Sequence, residues 1–255
     1  MNYSRKEKEL VELWKKHRNR IKEYKGGKNL MERPAKGRNF NVSPILLERK
    51  GNNFKDIILR KDDSKILRLS NYLPEGVCFV EDKTFMYDTR SGSIFFDGGK
   101  TKLASFLPLI FYNIGHSKQK GEDHDHFNEI SLKARFSIPR NLEECIESIN
   151  NKRMNADSKA YFLDKFAFNS STISREDWLS FAKLHRNAWS YSLRKVRALR
   201  RQGWNVFAGF SIEKDFMKMI YNCLESKELW VNSVVELSCK AQNKEVQLPG
   251  EIFTR

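Results

Sequence analysis

The sequence predicts an α+β fold: an antiparallel sheet in the N-terminal half, a mainly helical C-terminal half, and a basic helix at the N-terminus. Three observations predict it. Short apolar segments separated by turn residues fill positions 42–96. Between 127 and 138, Ile130, Leu132, Ala134, Phe136 and Ile138 alternate with polar residues, the period of a strand with one buried face. Two long segments of helical period each open on a capping box, Ser4 with Glu7 and Ser174 with Asp177.

The chain has 255 residues, enough for one large domain or two small ones. Three regions are expected: a basic helix and flexible arm over 1–40, a sheet with one helix over 41–139, and a helical region over 140–255 containing the basic helix 174–201. In the first helix, Leu10, Leu13, Trp14, His17, Ile21 and Tyr24 recur near helical spacing, and Gly26-Gly27 ends it. Lys28 to Asn39 follows as a basic arm with little apolar content. Strands are expected at Pro44–Leu47, Asp56–Leu59, Lys65–Leu69, Val77–Glu81, Thr84–Tyr87 and Ser93–Phe96, joined as a meander. An apolar helix lies near 103–114. After the strand ending at Pro139 come helices near 141–149 and 160–168, the basic helix, a helix from Ser211, and a last strand at Trp230–Leu237.

Charge carries the functional expectation. Lys and Arg total 47 against 32 Asp and Glu, a net charge of +15. Residues 1–40 hold +8 and residues 174–201 hold +6, so two segments contain +14 of it. Charge needed only for solubility would be spread, whereas concentration in two segments suits a polyanion. In the second segment Trp178, Phe181, Ala182, His185, Ala188, Trp189, Ser192, Val196 and Leu199 fall on one face. Lys183, Arg186, Arg194, Lys195, Arg197, Arg200 and Arg201 occupy much of the rest. Six of the eight basic residues there are Arg, whose planar fork fits phosphate oxygens and base edges. Tyr191 and Trp204 are candidates for stacking on unpaired bases. Lys15, Lys16, Arg18, Lys22 and Arg38 would add sequence-independent affinity from the first segment.

The function expected is nucleic-acid binding, to DNA or RNA, without intrinsic catalysis, in a replication, mobile-element or ribonucleoprotein assembly with other proteins. Two alternatives stand beside it. One is a metal-dependent nuclease: His116, His124, Asp125 and His126 lie within eleven residues, and His124 and His126 on a strand would face the same way to hold a divalent metal. No cofactor is expected otherwise. The other is an interaction subunit that sets its basic helix on an acidic protein or membrane surface.

Two further motifs have weaker chemical content. Asp97-Gly98-Gly99-Lys100-Thr101 sits between a strand and a helix, the order of a phosphate-binding loop, but Ile94 stands where that pattern needs its first glycine. Glu48-Arg49-Lys50 after Ile45-Leu46-Leu47 resembles the strand-borne carboxylate–lysine half of the PD-(D/E)xK nucleases. That family also needs an Asp to share the metal. None precedes Asp56, so Asp56, Asp62 or a helical Glu would have to serve. The four cysteines form no CxxC pair, which fits reduced thiols in a cytoplasmic protein. The N-terminus shows no secretory pattern, and the longest apolar stretch, Leu103–Ile114, is too short to span a bilayer.

Overall fold

The computed structural model describes residues 44–51, 53–62, 65–101, 103–119, 174–205, 212–241, 248 and 251–253, together with Glu12 and Lys16. Glu12 and Lys16 are helical and exposed. The rest of the N-terminal basic segment, the strand expected at 127–138 and the helices expected near 141–149 and 160–168 lie outside the described residues. The chain divides into two compact units. Residues 28–121 and 184–221 form one, and residues 1–27, 122–183 and 222–255 form the other.

The unit of 28–121 and 184–221 holds two three-stranded sheets. In the first, β1 (Ile45–Arg49), β2 (Lys55–Arg60) and β3 (Ile66–Arg68) pair antiparallel in chain order. Ile57, Ile58 and Leu59 of the central strand are buried. The second contains β4 (Cys78–Glu81), β5 (Met86–Asp88) and β6 (Ser93–Phe96). All six strands fall on segments that alternation and turn residues mark out. The simple meander does not hold here, however. The order is β4-β6-β5, with β4 parallel to β6 and β5 antiparallel to it. The reason is burial: Ser93, Ile94 and Phe96 are all buried, as a central strand requires, so β6 is paired on both edges and β5 is left outside.

Helix α1 (Phe106–Ser117) covers this second sheet. Phe106 meets Phe96 and Phe85 edge to face, with ring centroids 6.1 and 5.7 Å apart. Helix α2 (Arg175–Arg201) contributes residues 184–201 to the same unit. The two helices approach closely because small residues face each other. A Cβ at Gly115 would stand 2.9 Å from the Ala188 backbone, and the Ser192 hydroxyl donates to the Pro108 carbonyl at 2.8 Å. Gly115→Ala therefore sets two effects against each other. The gain in helix propensity is about 1 kcal/mol, while overpacking costs about 1–3 kcal/mol. The expected result is a lower denaturation midpoint for the variant, and a higher one would show that the helices separate freely.

In the other unit, Trp178, Phe181 and Ala182 of α2 form a core with Val231, Ile252 and Phe253. Helix α3 (Met217–Ala241) supplies Leu224, Val231 and Val235 to it. The strand expected at Trp230–Leu237 is thus part of α3. Its β-branched residues favour a strand locally, but the spacing of Leu224, Val231 and Val235 places them on one helical face, and that packing decides. The Glu228 carboxylate accepts from the Ile252 backbone N–H at 2.5 Å, which holds the C-terminal segment on α3. No helix among the described residues is long and apolar enough to cross a membrane. Cys78, Cys223 and Cys239 are free thiols, and burial pushes Cys223 up to about 11. Cys145 lies outside the described residues.

Candidate nucleic-acid interface

Helix α2 starts where its capping box sits. The Ser174 hydroxyl accepts from the Asp177 N–H at 3.1 Å, and the Asp177 carboxylate accepts from the Ser174 N–H at 3.1 Å. It ends at Gly203, whose φ of +78° suits glycine, with the Trp204 N–H returning to the Leu199 carbonyl at 3.0 Å. Every residue of the apolar face read from the sequence, from Trp178 to Leu199, is buried. That burial fixes which side remains for solvent.

On the solvent side, Lys183, Asn187, Ser190, Arg194, Arg197 and Arg201 recur at steps of three and four, one stripe along the helix. All are exposed except Arg197, which is half-buried. Arg200 is exposed beside the stripe, and Arg186 and Lys195 are half-buried. Among the described residues, no carboxylate lies within ion-pair distance of Arg194, Arg200 or Arg201. Arg197 differs. Its Nε and Nη2 reach Glu213 Oε1 and Oε2 at 3.2 and 2.6 Å, a bidentate pair. The sequence offered no signal for this counter-charge, because Glu213 arrives from the turn before α3.

Other cations gather around the same part of the unit. Lys195 lies over the rings of Tyr72 and Tyr191, at 5.0 and 5.4 Å, and Lys118 over Tyr191 at 6.0 Å. At the C-terminal end of α2, Lys61 abuts Gly203 and Lys65 lies 5.8 Å from the Trp204 ring. Positive charge there also complements the helix dipole. Tyr72, Lys61, Lys65 and Lys118 come from distant turns, so charge counting along one segment could not find them.

The two stacking candidates fare differently from expectation. Trp204 is 3% exposed, because the chain folds it back under the end of α2, and its ring is closed off from a base. Tyr191 is half-buried with its hydroxyl inside, and burial pushes that hydroxyl up to about 12. Its accessible ring face belongs to lysines. Of the arm residues, only Lys16 is described; Lys15, Arg18, Lys22 and Arg38 lie outside the described residues.

The histidine cluster is split. His116 is a core residue on the last turn of α1, 6% exposed, facing His185 and Tyr112. It does not stand at the surface as a loop ligand. The apolar side of α1 carries it inward. His124, Asp125 and His126 lie outside the described residues. Among the described residues, no group of three or more His, Cys, Asp or Glu side chains is placed to hold a metal ion.

The Glu48-Arg49-Lys50 motif does meet an aspartate. Glu48 and Asp56 are cross-strand partners on β1 and β2, so both leave the same face. Lys50 Nζ lies 3.4 Å from Asp56 Oδ2. Arg68 fills the space a metal would take: it pairs with Glu48 and lies 3.3 Å from Asp56 Oδ2. Asp56 also accepts from the Ser70 N–H and hydroxyl at 3.1 and 2.8 Å. Two carboxylates and two cations sum to zero, which makes the cluster a saturated structural knot and leaves no excess negative charge for a cation. In the glycine loop, Asp97 caps the Gly99 N–H at 3.0 Å and pairs with Lys100 at 3.2 Å. Both the amide and the lysine that would hold a phosphate are engaged by the same carboxylate. No protein-family model, no curated protein and no solved structure matches the chain.

Proposed function

We propose that the chain binds nucleic acid through the exposed basic stripe of α2, with phosphate contact as the main source of affinity and no chemical step assigned to it. The observation that carries the proposal is the state of Arg194, Arg200 and Arg201. They stand in solvent without a carboxylate partner among the described residues, on a helix whose opposite face is locked in a core. The helix fixes their backbone in advance, and each planar guanidinium fork is pre-organised, so less freedom is lost per hydrogen bond to phosphate. From Arg194 to Arg201 the helix rises about 10 Å, close to three nucleotide steps along one strand of a duplex at roughly 3.4 Å each. Lys61, Lys65 and Lys195 extend the positive surface around it.

Salt dependence tests this directly. Affinity for a short labelled duplex, followed by fluorescence anisotropy at several salt concentrations, is expected to fall with a log–log slope of about −0.9 per neutralised phosphate. A flat dependence would remove direct phosphate contact and leave the acidic-protein or membrane-surface alternative. A sharper version uses Glu213→Gln. Glu213 is 70% exposed, so its pair with Arg197 adds little to stability. Removing it frees Arg197 for the stripe. The variant should bind several-fold more tightly, with a slope steeper by about one phosphate contact. An unchanged slope would place Arg197 outside the contact surface.

A further inference from the structure

The exposed row of α2 is more selective in composition than phosphate contact requires. Residues 183–201 contain no Asp or Glu, yet the row is not continuously cationic. Asn187 and Ser190, both exposed, stand in it before Arg194. Asparagine and serine are weaker helix formers than the Lys, Gln or Ala that a merely solvated face of a 27-residue helix would hold. What they bring is hydrogen-bonding capacity: an amide with two donors and an acceptor, and a hydroxyl that does both. At about 100° per residue, Lys195 and Arg200 lie roughly 110° to either side of the Asn187–Ser190–Arg194 row. Hydrogen-bonding groups thus hold the middle of the face, and cations border it on both sides.

We infer that α2 enters the major groove of a B-form DNA duplex, where Asn187 and Arg194 read base edges and Lys195 and Arg200 meet phosphates on the two walls. This groove contact presupposes that the basic stripe binds nucleic acid, and it names the substrate class of that stripe. Dimensions and chemistry agree on it. The major groove is about 12 Å wide and admits a helix. Asn187 and Arg194 are seven residues apart, a rise of about 10 Å, or about three base-pair steps of roughly 3.4 Å. An Asn amide pairs with N6 and N7 of adenine, and an Arg fork with O6 and N7 of guanine. The surroundings select against other nucleic acids. Single strands are held by stacking on open rings, but Trp189 and Trp204 are buried and lysines take the open face of Tyr191. The major groove of duplex RNA is too deep and narrow for side chains to read.

The test is selection by the full-length protein from DNA duplexes with a randomised centre. Affinities are then measured for the enriched duplex, for a random-sequence duplex, and for single-stranded DNA and duplex RNA of the enriched sequence. The expected result is a motif with an adenine and a guanine about three base pairs apart. Replacing either base should cost the wild type at least about fivefold, the lower end of what one bidentate pair discriminates. Asn187→Ala should lose the adenine preference and Arg194→Ala the guanine preference, whereas Arg200→Ala should weaken all duplexes by the same factor. Asn187 and Arg194 are exposed and alanine is the better helix former, so both variants are expected to fold, which circular dichroism checks. Salt-dependent binding to duplexes without an enriched motif overturns the groove contact and leaves the proposed function standing. No binding to any of these probes overturns both. Tighter binding to single strands or to duplex RNA than to the enriched duplex also overturns the groove contact. So do base preferences that survive in Asn187→Ala or in Arg194→Ala, including where these variants weaken all duplexes equally.

Discussion

Replacing Arg194, Arg200 and Arg201 together by glutamate is expected to weaken nucleic-acid binding by at least about tenfold, with the gap to the wild type widest at low salt and narrowing as salt rises. These three are chosen because they are exposed and no carboxylate among the described residues occupies them. Arg197 is left out for a physical reason. Glutamate there would face Glu213 and disturb the start of α3, mixing a folding effect with a binding effect. Surface reversals also cost something at a helix C-terminus, about 0.3–1 kcal/mol each through the dipole. The matching glutamine triple removes the charge without that penalty. It should make the salt slope shallower by about 0.9 for each phosphate that the variant no longer neutralises. Arg175→Glu is the control. It makes the same change in net charge per residue at the other end of α2, where negative charge suits the dipole. If it weakens binding as much per substitution as the stripe variants do, the effect is one of total charge and α2 has no privileged face.

How far such a face can be read from sequence depends on where the deciding interactions lie. The apolar side of α2 was legible because nine residues at helical spacing leave only one way to bury them. Its start was legible because Ser174 and Asp177 make a local hydrogen-bond pair. The strands of the first sheet were legible for the same reason: alternation and turn residues act within a few positions. What failed was set at a distance. β6 goes between β4 and β5 where both its faces are buried, Ser93 on one and Ile94 and Phe96 on the other, and Phe96 packs against Phe79 of β4 and Phe106 of α1 rather than against its neighbours in the chain. Trp230–Leu237 is helical because Val231 and Val235 meet the core of Trp178 and Phe253.

The site shows the same division. That α2 presents arginines opposite a buried face follows from its own residues. That Arg197 is held by Glu213, that Lys195 rests on Tyr72, and that Trp204 is folded away depends on segments far off in the chain. His116 is the clearest case. Sequence proximity grouped it with His124 and His126, but its partner is His185, sixty-nine positions later. A helix carries residues to its own neighbours, and those need not be the nearest in the chain.

The second large effect is expected at Asp56. Its carboxylate is 0% exposed and receives the Ser70 N–H and hydroxyl, the adjacent Ile57 N–H at 2.9 Å, and the charges of Lys50 and Arg68. Burial alone would raise its pKa, but the two Ser70 donors, Lys50 and Arg68 outweigh that and hold it below the usual value. Asp56→Ala leaves those donors facing a cavity. Lys50 and Arg68 are about half exposed and regain water, so the cost lies mainly in the stranded Ser70 and Ile57 groups and the missing charged bonds. That amounts to about 3 kcal/mol, roughly a 10 °C drop in melting temperature for a chain of this size. Asp56→Asn keeps one acceptor and should lose about half as much. A pH series adds the sign. A carboxylate with a depressed folded-state pKa stabilises the fold above its unfolded value and loses that contribution as pH falls through the folded one. Wild-type stability should therefore decline below about pH 4, and this part of the decline should be absent from Asp56→Asn. Equal acid sensitivity in both proteins, measured by denaturant unfolding, would show that the β1–β2–β3 knot is not held by this charge.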